Sequence, residues 1–285
     1  MRLFSTALCL LLVCGVALAQ QPVTVTITTD PVPADVNMLT NPGFEEGVGE
    51  DGAPVGWEIN TAAPEAFAFE PIGDAWAGDS CWRCHTASPA MSGYIQQNVA
   101  VEDDTQYRAW TWLRLQGGRY MMLLRGLVEP PDAAAYRFDE RTDIVSTKNH
   151  WLAPLYLNPD HLQGPPVDEW ILMPMTITAP AGLGRVQVWM GSYFTASEMH
   201  FDDAYFGPAT CTLTVSVDSD SPIRDVRVRD VTMGPPIFRD DAPGGVTEFE
   251  ATAEDMPIAG GYLVTVVTDA GESTEFVVAN QEQER

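Results

Sequence analysis

In Tyr107-Arg108-Ala109-Trp110-Thr111-Trp112-Leu113-Arg114 the side chains alternate. With the strand period of two, Tyr107, Ala109, Thr111 and Leu113 share a face that can pack in a core, while Arg108, Trp110, Trp112 and Arg114 share the other. The same alternation recurs at Val23 to Thr28, Arg185 to Met190, Leu213 to Val217 and Tyr262 to Thr268, each segment bounded by Gly, Pro, Asp or Asn. Helical periodicity is almost absent. Short alternating segments between turn residues predict an all-β protein built as an antiparallel β-sandwich.

Phe206-Gly207-Pro208-Ala209 closes one alternating segment and Cys211 opens the next, which puts a domain boundary near Pro208. Residues 37–207 then form a large sandwich, and residues 209–279 a smaller, immunoglobulin-like β-sandwich ending in a hairpin around Asp269-Ala270-Gly271. Residues 20–36 read as a strand-like N-terminal segment and residues 280–285 as a tail. Residues 129–169 are too long and too Pro-rich for a simple strand connection. They read as an insertion covering one edge or rim of the large sandwich.

The first nineteen residues read as a signal peptide: Arg2 gives a positive start, Leu8 to Val16 an apolar run, and Ala17-Leu18-Ala19 a cleavage site. Val13 before Cys14 does not suit a lipid anchor. No later apolar run approaches the ~20 residues of a membrane span. The expected location is therefore extracellular or periplasmic, with no membrane partner. A formal charge of −25 repels nucleic acid and anionic lipid surfaces, leaving neutral or cationic partners.

Two motifs lie at the ends of the large unit: Asn41-Pro42-Gly43-Phe44-Glu45 followed by Gly56-Trp57, and Phe201-Asp202-Asp203-Ala204-Tyr205-Phe206. Between them, in order, come Gly78, the Ser80 to Arg83 strand, Gly93-Tyr94-Ile95-Gln96-Gln97, the Tyr107 strand and a Trp170 strand. This ordered set resembles carbohydrate-binding modules of families four, nine and twenty-two, the galactose-binding-like jelly roll. The resemblance implies a structural calcium ion held by Glu45, Asp202 and backbone carbonyls, oxygen ligands being what calcium takes. Strict alternation would place Asp202 on the side of apolar Ala204 and Phe206, where a carboxylate needs a partner. The alternative is that Glu45 and Asp202 cap loops by accepting backbone N–H groups.

Two tryptophans between two arginines make an unusual solvent face, and in Arg185 to Met190 the inward Val186, Val188 and Met190 leave Gln187 and Trp189 pointing away. Flat aromatic faces stack on pyranose rings, and Arg and Gln side chains bond their hydroxyls. The expected platform is Trp110, Trp112 and Trp189 with Arg108, Arg114 and Gln187, and the expected partner a polysaccharide or glycan. The alternative is that the insertion covers the tryptophans as a second core. In that case the jelly roll belongs to an extracellular structural or adhesion protein that binds no glycan.

Cys81-Trp82-Arg83-Cys84-His85 matches the c-type haem attachment pattern. On a strand, however, Cys81 and Cys84 point to opposite faces about 10 Å apart, which argues against haem and against a mutual disulfide. No Ser-His-Asp order or phosphate loop is present, and carboxylate pairs arise by chance in so acidic a chain. The expectation is a binding protein without catalysis.

Overall fold

In the computed structural model of the protein, residues 23–127, 168–179, 183–230, 235–242 and 244–280 are described. The leader-like start, residues 129–167 of the insertion and the tail beyond Asn280 lie outside them. The strands, in chain order, are β1 (Val23–Asp30), β2 (Glu58–Thr61), β3 (Ala68–Ile72), β4 (Cys81–Thr86), β5 (Gly93–Ala100), β6 (Gln106–Gly117), β7 (Tyr120–Leu127), β8 (Trp170–Leu172), β9 (Met175–Thr178), β10 (Arg185–Ser192), β11 (Ser197–Pro208), β12 (Thr210–Ser219), β13 (Ile223–Asp230), β14 (Phe238–Asp240), β15 (Glu248–Pro257), β16 (Tyr262–Thr268) and β17 (Gly271–Val277). The one α-helix described is a single turn, α1 (Pro33–Val36).

The large unit is a jelly-roll β-sandwich. A front sheet of order β2-β5-β10-β7 faces a back sheet of order β3-β4-β11-β6-β8, with β9 also paired to β6. The inward faces are those that alternation selects. The front sheet contributes Ile95, Val99, Tyr120, Met122, Leu124, Val186, Val188 and Met190. The back sheet answers with Trp82, Cys84, Ala109, Leu113, Leu115 and Phe201. Each Val, Leu, Ile, Phe or Met among them, withdrawn from water, stabilises the fold by about 1.5–3 kcal/mol.

The Asn41 to Glu45 turn plugs one end of this core. Asn41 and Phe44 adopt left-handed φ angles of 48° and 60°, which turn the Phe44 ring inward against Trp57 and Trp82, at centroid separations of 5.7 and 6.3 Å. Asn41 suits such a site because its side chain bonds locally: Nδ2 donates to the Val55 carbonyl, and Oδ1 accepts the Glu46 N–H.

The second unit stacks a sheet of order β1-β12-β15 on one of order β14-β13-β16-β17. Its core holds Val25 and Ile27 of β1, Leu213, Val215 and Val217 of β12, and Val226, Val228, Val264 and Val266 of the facing sheet. Although β1 precedes the jelly roll, it pairs with β12 from Val23 opposite Ser219 to Asp30 opposite Thr212. The chain therefore begins in the small sandwich, leaves to build the large one and returns. Asn280 ties the two ends together: its N–H donates to the Ile27 carbonyl at 2.8 Å, and its side chain pairs with Thr29.

Strand β11 departs from simple alternation. β11 shifts register against β6 between Asp202 and Tyr205, with Asp203 at φ 43°. Met199 and Phe201 point into the jelly-roll core before the shift, and Ala204 and Phe206 do so after it. Asp202 thus lies on the outer face, opposite to the side a strict period of two assigns it. The bulge inserts an extra residue and reverses the parity.

Candidate functional site

The six residues expected to form one platform are divided between the two sheets. Arg108, Trp110, Trp112 and Arg114 stand on β6 of the back sheet, and Gln187 and Trp189 on β10 of the front sheet. Each set faces away from the shared core, so the two sets point in opposite directions.

The back-sheet tryptophans do not form an open surface. Trp110 is 2% exposed and Trp112 3%. Trp110 stacks on Tyr205 at 3.8 Å and belongs to the core of the small sandwich. Trp112 stacks on Trp76 at 3.6 Å and receives Phe276 of β17 edge-on. Arg108 is buried in an ion pair with Asp230 of β13. Arg114 is held by Asp168 at 2.7 Å and by Asp74. The small sandwich and the 73–80 loop cover this face: Arg108, Trp110 and Trp112 reach the small sandwich, while Arg114 is tied to the loop and to Asp168. No surface remains here on which a sugar ring can stack.

The outer face of the front sheet has the composition that sugar recognition needs. Antiparallel register sets Asn60, Tyr94, Gly191 and Met121 in one cross-strand row, Glu58, Gln96, Trp189 and Leu123 in the next, and Asn98, Gln187 and Arg125 in a third. Tyr94 and Trp189 meet at 5.2 Å with 36° between their planes, and Tyr94 packs with Met121 and Leu123. The Arg125 guanidinium lies 5.7 Å from the Trp189 ring centre. Amides form a ladder around them: Asn60 Nδ2 donates to Gln96 Oε1 at 2.6 Å, Gln96 Nε2 to Glu58 Oε2 at 2.9 Å, and Gln187 Nε2 to Asn98 Oδ1 at 3.1 Å. The Trp189 Nε1–H is buried without a hydrogen-bond partner among the described residues. Tyr94, Gln96 and Gln187 are themselves largely buried, and Trp189 partly so. Tyr94, Gln96 and Asn98 were legible in principle, because alternation from Gly93 to Ala100 puts them on one face. Met121, Leu123 and Arg125 were not, since β7 is apolar on both faces and gives no period.

Glu45 and Asp202 both grip the 73–80 loop. Glu45 Oε1 accepts the N–H groups of Asp79 and Ser80 at 2.9 and 3.0 Å. Asp202 Oδ2 accepts those of Trp76 and Ala77 at 2.7 and 3.0 Å, and Oδ1 that of Asp203. Calcium takes six to eight oxygens, whereas these carboxylates face N–H donors, and no group of three or more metal-ligating side chains occurs among the described residues. The N–H donors on both carboxylates are those of the loop-capping alternative.

On β4, Trp82 and Cys84 point into the core while Arg83 and His85 point out toward Glu198, Arg83 in a two-pronged pair at 2.7 Å. Cys81 faces outward but is buried beneath the loop, its thiol donating to the Asp74 carbonyl at 3.3 Å. All three described cysteines are free. Burial pushes the Cys81 thiol up to about 12 and raises that of Cys84 as well. Neither is a nucleophile at neutral pH.

No family model matches the chain, and no curated protein matches it significantly. Solved structures similar to it include the enzymatically active domain of bacteriophage CBA120 tailspike protein 4, at 11% identity and a TM-score of 0.43. That match covers 60% of this chain and 21% of the tailspike chain. A family 4 carbohydrate-binding module is similar at 15% identity and a TM-score of 0.39, over 60% of this chain and 99% of that one. The xylan-binding CBM22-1 domain of Paenibacillus barcinonensis Xyn10C is similar at 10% identity and a TM-score of 0.36, over 58% and 90% of the two chains.

Proposed function

We propose that this is an exported, non-catalytic carbohydrate-binding protein that takes a polysaccharide chain on the outer face of its front sheet. One observation carries the reading: Tyr94 and Trp189 stand together at the centre of that face, ringed by Asn60, Gln96, Asn98 and Gln187. The partly exposed Trp189 ring, backed by Tyr94, supplies stacking surface and the amides both donors and acceptors, which is what a neutral polyhydroxylated ligand demands. Among the strand positions of this face Glu58 is the sole carboxylate, whereas glycoside hydrolysis uses a pair. The leader-like first nineteen residues support export.

Affinity electrophoresis against a panel of soluble polysaccharides tests the proposal. The full chain should be retarded by at least one polymer, with retardation lost in Trp189→Ala and Tyr94→Ala. Trp112→Ala should keep it in whatever fraction remains folded. Migration unaffected by every polymer removes the glycan reading and leaves the adhesion alternative. Retardation lost only in Trp112→Ala would move the site to the back sheet.

A further inference from the structure

We propose that the crevice between the two sandwiches is a binding site for a primary alkylammonium group, held by the carboxylate of Asp203. The crevice has a volume of about 290 Å³, at the small end of ligand sites. Both units wall it: Trp110, Ala204 and Tyr205 from the jelly roll, Ala259, Gly260 and Ala279 from the small sandwich. Gly260 lets the two units approach closely, because a Cβ there would lie 3.0 Å from Trp110 Nε1.

Asp203 is the only residue of this lining that carries a charge. The polar side chains of Asn37, Asn280 and Tyr205 are committed. Asn37 donates Nδ2 to the Ala204 carbonyl and accepts the Leu39 and Phe206 N–H groups on Oδ1. Asn280 is paired with Thr29, and the Tyr205 hydroxyl donates to the Pro208 carbonyl. Among the described residues the Asp203 carboxylate has no hydrogen-bond or ion-pair partner, and the residue is exposed.

The backbone is arranged to put it there. The register shift of β11 takes Asp203 out of the ladder, and its φ of 43° is a left-handed conformation costing a non-glycine residue about 1 kcal/mol. Bulges re-aim side chains in this way. The Asp203 N–H donates to Asp202 Oδ1 at 2.7 Å, which fixes the turn.

A lone carboxylate among alanine, valine and aromatic walls selects its ligand by chemistry. Anions are repelled. Calcium would need several more oxygens. A guanidinium presents five donors to a single acceptor group, whereas an ammonium is a compact charge whose spare donors can stay in water at the mouth. The apolar walls suit the methylene chain behind it. A net charge of −25 draws such cations in.

The test follows the Trp110 indole resonance of the full chain during titration with n-butylamine, n-butanol and the end-blocked peptide Gly-Lys-Gly. Butylamine should shift it saturably and butanol should not. Asp203→Asn should weaken binding at least about tenfold. Ala279→Leu, which fills the crevice and leaves the carboxylate, should abolish it. Peptide binding as tight as that of butylamine assigns the site to a lysyl side chain of a partner; weaker peptide binding assigns it to free amines. No saturable shift, an equal response to butanol, or an affinity unchanged in both folded variants overturns the proposal. Asp203→Asn should retain polysaccharide retardation, so the two sites fail separately.

Discussion

Asp202 has no exposed surface, yet it accepts three backbone N–H groups through a carboxylate. Burial pushes its pKa up from the ordinary 3.8 to about 6, against the downward pull of the bonds from Ala77, Asp203 and Trp76. A folded pKa above the unfolded one means that the proton is held more tightly in the folded state. The stability this contributes is fully present below pH 3.8 and is lost as pH rises through about 6. Asp202→Asn removes the titration and sets an amide against N–H donors, so it should be less stable at every pH. Its melting-temperature deficit relative to the parent should shrink between pH 4 and pH 7. A constant deficit over that range would show that Asp202 titrates as in the unfolded chain, and a growing one that its folded pKa is lowered. Because Glu45 and Asp202 are engaged with two and three backbone N–H groups, adding EDTA or millimolar calcium should leave the parent melting temperature unchanged. A rise with calcium concentration, as linkage demands for any ligand of the folded state, would restore the ion.

At the scale of elements, β1 is the strand whose position in the chain conceals its role. It lies next to the jelly roll in sequence and pairs with β12 in space, where Val25 and Ile27 are fully buried. A chain beginning at Pro31 gives up those two side chains, about 3–6 kcal/mol at 1.5–3 kcal/mol each, and leaves β12 as an open edge prone to pairing with other molecules. Urea unfolding of the small sandwich should move to lower concentration, and size-exclusion chromatography should show self-association. An unchanged midpoint with a monomeric profile would mean that β1 is dispensable. Alternation was a reliable guide to which side chains share a face: Arg108, Trp110 and Trp112 of β6 do point away from Ala109 and Leu113. It says nothing of which sheet a strand joins or what covers its outer face, since both depend on contacts remote in sequence. That is why Trp110 and Trp189 share a pattern of alternation and not a face. The reversal at Asp202 was hidden for another reason, because a bulge leaves no compositional mark when its residue is aspartate rather than glycine.

The whole molecule is held as one body by chemistry that resembles a core more than a surface. Arg108, 4% exposed, reaches from the jelly roll to Asp230 of the small sandwich beside the Trp110–Tyr205 stack. Removing one partner of a buried pair leaves an uncompensated charge and costs about 3–5 kcal/mol, whereas replacing both by apolar residues costs far less. Asp230→Ala should therefore lower the melting temperature by about 6–20 °C in a protein of this size, and Arg108→Met with Asp230→Leu should recover most of that loss. Salt distinguishes this contact from the general electrostatics of the chain. With a net charge of −25, the exposed carboxylates repel one another, and raising ionic strength should stabilise parent and variants alike. A buried pair is screened little, so the deficit of Asp230→Ala should persist in about 0.5 M salt, beyond the reach of screening. A deficit that fades as salt is added would show that the pair is solvated and that the two sandwiches are joined by the aromatic contacts alone.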